Sequence, residues 1–370
     1  MPENERRKPR LRDLGITIGT MPAGTHNAIT DVSGVRVGHT TIIEGESVRT
    51  GVTAVHPLEG SAFSEMPPAA IQILNGAGEI TGRSQVDEYG LLESPILITN
   101  TLSVGTAHRG CIEWMQQQEP TLGPIHFSIP VVAETYDGFL NDIGGQHVTI
   151  EHVFTALDSA TGGTVAEGNV GGGTGMMLFG FKGGIGTSSR LMTVEDQQYT
   201  VGVLVQGNFG IRANLLVDGV PVGREITDLL PERGTQQDTP ARDGSIIVVI
   251  ATDAPLSDRQ LARLCRRGML GLGQVGSTAT HGSGDLLIAF SNAPECRVNR
   301  FDTSPVLVTP RLDDRRLDPF FQATVEATAE SVLNALVAAE DMTGRDGNRA
   351  YALPHDRLRE IMRRYGRLGS

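Results

Sequence analysis

The sequence has few cysteines, an excess of acidic over basic residues and no long apolar run, and each scarcity excludes a class of protein. Three scattered cysteines without a CxxC pair exclude a disulfide framework and a zinc-finger site (Cys111, Cys265 and Cys296). No apolar run reaches the roughly 18–20 residues of a membrane-spanning helix. The first residues, MPENERRK, are not followed by the apolar segment of a secretory signal. We therefore expect a cytoplasmic protein with reduced thiols and no membrane partner.

The charge balance argues against nucleic acid as a partner. The chain has 31 lysines and arginines against 43 aspartates and glutamates, a net charge of −12, whereas neutralising phosphates requires a basic surface. Hydrophobic residues nevertheless make up 39% of the 370 residues, which is enough for a sizeable core and too much for a disordered chain.

Glycine is the residue type in excess: it accounts for 46 of the 370 residues, about 12%, where roughly 7% is usual. The glycines cluster, and the cluster GNVGGGTG at 168–175 is similar to a phosphate-binding loop. It lacks the Gly-Lys-Ser/Thr ending of such a loop, and Lys182 comes too late to serve. We interpret the cluster as a turn that lines an active-site cleft.

Short apolar runs rich in β-branched residues predict strands, several of them covered on both faces. The predicted strands are residues 51–56, 69–74, 95–99, 129–133, 176–181, 201–205, 245–252 and 285–291. Three helices are predicted, with their starts marked by Ser257, Asp318 and Pro354; Ser257 forms a capping box with Gln260. Strands with interspersed helices indicate a layered domain of α and β structure.

The polar segment 231–244 leads directly into the most apolar predicted strand, 245–252. A Gly-Ser bond at such a junction suits self-cleavage, in which the hydroxyl of Ser245 attacks the carbonyl of Gly244, because glycine has no Cβ to block the attack. The freed α-amine has a reference pKa of about 7.7–8.0, so it can act as a base near neutral pH. Gly244 and Ser245 alone also fit an ordinary turn before a strand.

Ordered motifs along nearly the whole chain resemble the self-processing β-aminopeptidase and L-aminopeptidase/D-esterase family (DmpA- and BapA-like enzymes). The motifs are NAITDV at 27–32, AETYDG at 133–138, EGNVGGGTG at 167–175, QGNFG at 206–210, DGSII at 243–247 and GSGD at 282–285. Each motif alone is common, but their combination in this order is specific. The resemblance implies an α+β fold, a four-layer α/β/β/α sandwich similar to N-terminal-nucleophile hydrolases (the DmpA/ArgJ-like fold).

The resemblance also implies roles for individual residues. Ser245 matches the nucleophile that cleavage after Gly244 exposes, and Ser283 matches a second serine that contacts the nucleophile and its amine. Asp285 falls where some family members have an acidic residue that completes this hydrogen-bonded set. Where relatives carry glutamate, the shorter aspartate reaches less far.

Three further residues complete the implied site. Asn208 and Tyr136 match residues that stabilise the oxyanion, and an amide and a phenol are neutral donors suited to that task. Glu134 is a candidate for holding the free ammonium group of an aminopeptidase substrate. Without the resemblance, Asn208 also fits a turn residue, Tyr136 a core aromatic and Glu134 a surface carboxylate.

The implied enzyme is a single catalytic domain, 1–370, that cuts itself into 1–244 and 245–370, which remain associated. It hydrolyses the N-terminal residue from short peptides, amino-acid amides or esters, including those of D- or β-amino acids, through an acyl-enzyme. No metal or organic cofactor is implied. Family members form tetramers of such chain pairs, so we expect a homo-oligomer.

Three alternatives stay open. The first is acyl transfer of the ornithine acetyltransferase type, against which Ser245 argues because those enzymes use threonine. The second is a conventional Ser-His hydrolase without self-processing, with His281 as the base, although no GxSxG elbow accompanies it. The third is a non-enzymatic member that keeps the fold for binding or assembly.

Overall fold

The structure, a computed structural model, describes residues 8–234 and 244–369; of the polar segment predicted at 231–244, residues 235–243 therefore lie outside the described residues. In chain order, the strands are β1 (Arg36–Glu44), β2 (Val48–His56), β3 (Glu65–Met66), β4 (Ala69–Gly76), β5 (Ile96–Asn100), β6 (Val131–Thr135), β7 (Met177–Leu178), β8 (Phe181–Lys182), β9 (Gly184–Val194), β10 (Gln197–Asn208), β11 (Ser245–Thr252), β12 (Gly284–Ser291), β13 (Val298–Asn299), β14 (Met342–Thr343) and β15 (Arg349–Ala350). The helices are α1 (Arg83–Tyr89), α2 (Val104–Gln118), α3 (Ile150–Asp158), α4 (Val222–Glu225), α5 (Asp258–Gln274), α6 (Asp318–Val337) and α7 (His355–Arg364).

Two sheets stack face to face between two layers of helices. One sheet has the strand order β4-β12-β11-β10-β9, and the other has the order β1-β2-β5-β6. Helices α5 and α6 cover the five-stranded sheet, while α2 and α3 cover the four-stranded sheet. One apolar core fills each of the three interfaces. The predicted four-layer α/β/β/α sandwich is confirmed.

Strand β11 lies at the centre of the five-stranded sheet because its side chains are apolar on both faces. Ile246, Val248 and Ile250 pack under the helices, whereas Ile247 and Val249 pack between the two sheets. Such a strand needs cover on both faces, and the four layers provide it. Its partners are β10, antiparallel, and β12, parallel.

The predicted strands and helices lie at or near observed elements, but the sequence does not predict the strands β1 and β9 or the helices α1 to α4. Two of the predictions also need correction. The predicted strand 176–181 is a tight hairpin of β7 and β8, since a turn with Phe179 and Gly180 at positive φ interrupts it. The N-cap of α6 is Leu317 rather than Asp318, which is the first helical residue. The capping box of Ser257 and Gln260 is present at the start of α5.

None of the helices in the described part of the chain is long and apolar enough to cross a bilayer. The three cysteines are free and buried in the fold.

Candidate active site

The register of the five-stranded sheet aligns the predicted site residues at one end of three strands. Ser245, the first residue of β11, pairs with Asn208, the last residue of β10, and with Gly284, the first residue of β12. These three residues, which are far apart in the chain, therefore form one row across the sheet, which is called the row from here on. This row lies at the edge where polar loops join the strands.

Ser245 lies between the two sheets and contacts the end of β6. Its side chain shares the inner face with Ile247 and Val249, because side chains alternate along a strand. It is only 4% exposed, and its Oγ accepts a hydrogen bond from the backbone N–H of Tyr136 at 3.2 Å. The hydroxyl oxygen is thus held by a backbone N–H that comes from the facing sheet.

Gly244 is held by backbone on both sides. Its carbonyl oxygen accepts a hydrogen bond from the N–H of Gly284 at 3.2 Å. A Cβ at position 244 would overlap the carbonyl oxygen of Asn208 and crowd the Cα of Phe209, so only glycine fits without moving the main chain. The bond that the sequence predicts to be cut therefore has a polarised carbonyl and no shielding side chain.

The amide of Asn208 has a defined orientation. Its Oδ1 accepts from the N–H of Met177 at 2.8 Å, and its Nδ2 donates to the carbonyl of Tyr136 at 2.7 Å. Because one partner can only donate and the other can only accept, the positions of Oδ1 and Nδ2 are fixed by their neighbours. Among the described residues no acceptor takes the second N–H of Nδ2, so it is available to a developing negative charge.

Tyr136 contacts Ser245 through its main chain. The contact to Ser245 is made by the backbone amide, whereas the sequence assigns the oxyanion role to the phenol. The phenol instead lies over Gly138, where a Cβ would overlap its oxygen. A backbone N–H is as good an oxyanion donor as a phenol, because it is neutral and rigidly placed.

Ser283 and Asp285 form a hydrogen-bonded pair beside the row. Ser283 Oγ donates to Asp285 Oδ1 at 2.8 Å. Asp285 is fully buried, and its Oδ2 has no partner within the described chain. Burial raises the pKa of its carboxyl, against the lowering effect of the Ser283 hydrogen bond. The alternation along β12 places Asp285 on the helix-facing side, so this pair approaches Ser245 from the side opposite to its hydroxyl.

Glu134 is a buried carboxylate near the row. Its Oε1 accepts from the N–H of Glu79 at 3.0 Å, and its Oε2 accepts from the hydroxyl of Thr101. A Cβ at Gly78 would touch both this carboxylate and the Cα of Gly284, so Glu134 and the row are separated by glycine backbone only. Burial raises the pKa of the Glu134 carboxyl. No local sequence pattern points to Thr101 or Glu79, because both contacts join different strands and loops.

A cavity of about 330 Å³ opens beside the row. Its lining includes Met177, Asn208, Phe209, Gly244, Thr280 and Ser283. The glycine cluster 168–175, predicted to line the cleft, is not part of this lining. It packs instead against the backbone of β2 and β9, where added Cβ atoms would overlap main-chain and side-chain atoms.

Two further sequence hypotheses concern histidine and metal. His281 is exposed, and its carbonyl accepts from Asn75 Nδ2 at 3.0 Å; the hydrogen bonds within the described residues do not join its ring to Ser245. In residues 8–234 and 244–369, no group of three or more His, Cys, Asp or Glu side chains is placed to hold a metal ion.

Comparison with known proteins assigns the chain to a family. The profile of peptidase family S58 matches residues 27–350. The chain is 46% identical to the β-peptidyl aminopeptidase BapA of Sphingosinicella microcystinivorans, over 98% of this chain and 94% of the relative. The resemblance deduced from the sequence motifs is confirmed.

Two solved structures share the fold along nearly their whole length. A β-aminopeptidase of Burkholderia sp. is 42% identical and superimposes with a TM-score of 0.88 over 97% of this chain and 99% of its own. The L-aminopeptidase D-Ala-esterase/amidase of Ochrobactrum anthropi is 43% identical, with a TM-score of 0.90 over 98% of this chain and all of its own. The latter is described as a prototype of serine aminopeptidases and a new variant of the Ntn-hydrolase fold.

Proposed function

Since the chain belongs to peptidase family S58 and is an aminopeptidase of the Ntn-hydrolase fold, we propose that it activates itself by cleavage between Gly244 and Ser245. The cleavage yields residues 1–244 and 245–370, which stay together because β11 lies inside the shared sheet. The observation that carries the proposal is the row at the sheet edge: a serine at the start of the central strand, preceded by a glycine that no other residue can replace without displacing backbone.

Self-cleavage follows from the contacts of the Gly244–Ser245 bond. The Oγ of Ser245 attacks the carbonyl carbon of Gly244, and the Gly284 N–H stabilises the negative charge that develops on the carbonyl oxygen. The C–N bond breaks as the proton of the hydroxyl passes to the nitrogen, leaving an ester. Water hydrolyses the ester, which gives a carboxylate on Gly244 and a free α-amine and hydroxyl on Ser245.

The mature site then uses Ser245 as both nucleophile and base. Its α-amine takes the hydroxyl proton while Oγ attacks the substrate carbonyl, and the free N–H of Asn208 and the amide of Tyr136 stabilise the oxyanion. The amine of the leaving group departs with the proton, and water releases the acyl group. Ser283, held by Asp285, offers its oxygen lone pairs to the α-amine from the other side of the strand.

Glu134 selects substrates with a free N-terminus. A carboxylate close to the row pairs with the ammonium group at the N-terminus of a substrate bound at Ser245. Relatives named β-peptidyl aminopeptidases and L-aminopeptidase D-Ala-esterase/amidase indicate the substrate class. We accordingly propose short peptides, amides and esters with an N-terminal β-amino acid as substrates, followed by α-amino acids of either hand.

Exposed apolar side chains support assembly into tetramers of chain pairs. Ile125 and Phe127 on one loop, and Val306 and Val308 on another, are more than half exposed. Phe301 joins the two loops through an edge contact with the ring of His126. An apolar patch of this kind favours a protein interface. The three free cysteines favour a reducing compartment such as the cytoplasm.

Paired substrates test the proposed activity. The enzyme is assayed on β-alanyl, L-alanyl and D-alanyl p-nitroanilides, each with its N-acetyl derivative as the matched control. We expect cleavage of the free-amine substrates only, and none by Ser245→Ala. Equal cleavage of the acetylated compounds would contradict the role of Glu134, and activity in Ser245→Ala would contradict the nucleophile.

A further inference from the structure

Lys182 is a fully buried cation that is not paired with a carboxylate in the described structure. Its Nζ lies within hydrogen-bond distance of three backbone carbonyls: Met176 at 2.7 Å, Gly183 at 2.7 Å and Gly173 at 3.3 Å. Burial lowers the pKa of Lys182 well below its ordinary value. The three acceptors, however, match the three N–H groups of an ammonium, whereas a neutral amine has only two.

One of the two shortest bonds acts on a peptide that also contacts the proposed oxyanion donor. The Met176–Met177 peptide accepts from Lys182 through its carbonyl, and its N–H donates to Oδ1 of Asn208 at 2.8 Å. Nδ2 of the same Asn208 faces the row. A continuous chain of hydrogen bonds therefore runs from the ammonium through one peptide to the amide of Asn208.

We propose that Lys182 is a positioning residue for catalysis, which orients and polarises the Asn208 amide through the Met176–Met177 peptide. A positive charge at the carbonyl makes the N–H of that peptide a stronger donor. The stronger bond to Oδ1 fixes the amide and makes Nδ2 a stronger donor in turn. Neutral hydrogen bonds in series thus carry the effect of a buried charge to the developing oxyanion.

Two of the three carbonyls that Lys182 contacts also have a backbone donor. The carbonyl of Met176 also accepts from the N–H of Gly183 at 3.0 Å, and that of Gly173 also accepts from the N–H of Met176 at 3.2 Å. An apolar side chain such as methionine would fill the same volume without the cost of burying an ammonium. The lysine is therefore better explained by its action on Asn208 than by the turn itself.

A double-mutant cycle tests the proposal, which rests on the proposed oxyanion role of Asn208. Lys182→Met, Asn208→Ala and the double variant are compared by kcat and KM, with kcat normalised to the processed chain measured by mass. We expect Lys182→Met to lower kcat by about 10- to 100-fold with little change in KM, and to cause no further loss in the Asn208→Ala background. Lys182→Gln keeps hydrogen-bond donors without the charge, so its kcat should lie between those of the wild type and Lys182→Met.

The outcomes separate this inference from the proposed function. An unchanged kcat in Asn208→Ala contradicts the oxyanion assignment itself. In a second outcome, Asn208→Ala lowers kcat as expected while Lys182→Met leaves kcat unchanged, or lowers it equally in the wild-type and Asn208→Ala backgrounds. Either form of this outcome overturns the Lys182 inference alone. Thermal unfolding of the Ser245→Ala chain with and without Lys182→Met gives the structural effect separately. If neither lysine variant folds, Lys182 serves the fold alone and the inference is wrong.

Discussion

The two ends of the central strand β11 carry similar polar residues in different bonding states. At the far end, Thr252 Oγ1 donates to the carbonyl of Thr200 at 2.7 Å, and the aligned Ser291 Oγ donates to the carbonyl of Ala254 at 2.6 Å. At the near end, Ser245 Oγ accepts from the amide of Tyr136. All three oxygens accept a backbone N–H, which for the far hydroxyls comes from Ala254 and Ala293. The far hydroxyls also donate to backbone carbonyls, whereas no described residue accepts from the hydroxyl of Ser245.

The carboxylates near the two ends of β11 also differ in their hydrogen bonding. Near Ser245, Asp285 is buried with one oxygen unpartnered in the described chain. Beyond the far end, Asp253 accepts from the N–H of Thr200 at 2.7 Å and caps the strand pair. Both residues have a pKa raised by burial, so the pKa alone does not separate the two ends. The distinction lies in whether each polar group is already satisfied by the fold.

The largest contrast is expected between two asparagines. Asn208→Ala removes the proposed oxyanion donor and should lower kcat by about 10²–10³-fold. Asn292, which follows β12 at the far end, donates to the carbonyl of Ser33 at 2.6 Å. Asn292→Ala should lower the free energy of unfolding by about 1 kcal/mol and leave kcat unchanged. Steady-state kinetics and denaturant unfolding of both variants check this, and a similar kcat for the two would remove the contrast.

Two glycines give the next contrast. A Cβ at Gly244 overlaps the Asn208 carbonyl, so Gly244→Ala must displace the attacked bond and should slow processing by about 10²-fold. Gly273 on α5 has no atom within 4 Å of such a Cβ and serves as the control. Processing is followed by gel after expression at low temperature. Normal processing in Gly244→Ala would show that the position tolerates a side chain.

The carboxylate near the row gives a smaller effect, which depends on pH. Glu134→Gln should raise KM for free-amine substrates by about 10- to 100-fold, since it removes a charged hydrogen bond to the ammonium. Burial raises the pKa of Glu134, so wild-type kcat/KM should fall, as pH is lowered, at a higher pH than for an ordinary glutamate. Protonation of the Ser245 α-amine, with a reference pKa of about 7.7–8.0, should lower kcat/KM in both enzymes. Glu134→Gln should lack only the additional fall that protonation of Glu134 causes, so its profile should be less steep at low pH. Profiles of equal steepness would assign the fall to other groups.

The smallest effect on activity is expected at the far end. Ser291→Ala leaves the buried carbonyl of Ala254 without the hydroxyl donor, and should lower the free energy of unfolding by about 1–3 kcal/mol. Its kcat should equal that of the wild type, as measured on fully processed protein well below the unfolding temperature. A marked loss of kcat would mean that the two ends are coupled through the sheet.

Local patterns predict the central strands and the helices α5 to α7, but not the strands β1 and β9 or the helices α2 and α3. The run at 245–252 predicts β11 residue by residue, because apolar β-branched residues covered on both faces leave little choice of structure. The capping box of Ser257 and Gln260 likewise marks the start of α5. Motifs placed Asn208, Ser245 and Ser283 in one site, and sheet register does bring Asn208 beside Ser245.

Contacts between distant segments were not predictable. The donor to Ser245 is the main chain of Tyr136 rather than its phenol, which depends on how the two sheets stack. The sequence pattern indicates only that Lys182 comes too late for a phosphate loop, yet the hairpin at 177–182 turns its ammonium back onto Met176. A local sequence pattern contains neither the register nor the stacking that creates such contacts.

The mass of the denatured chain tests the central claim most directly. The wild type should give pieces of about 26 and 13 kDa, which share the 39.5 kDa of the chain by residue count, as nucleophile-dependent cleavage requires. The smaller piece should begin with Ser245, and Ser245→Ala should remain a single chain. A wild type that stays at 39.5 kDa, or a Ser245→Ala chain that is still cut after Gly244, would contradict self-activation by this serine.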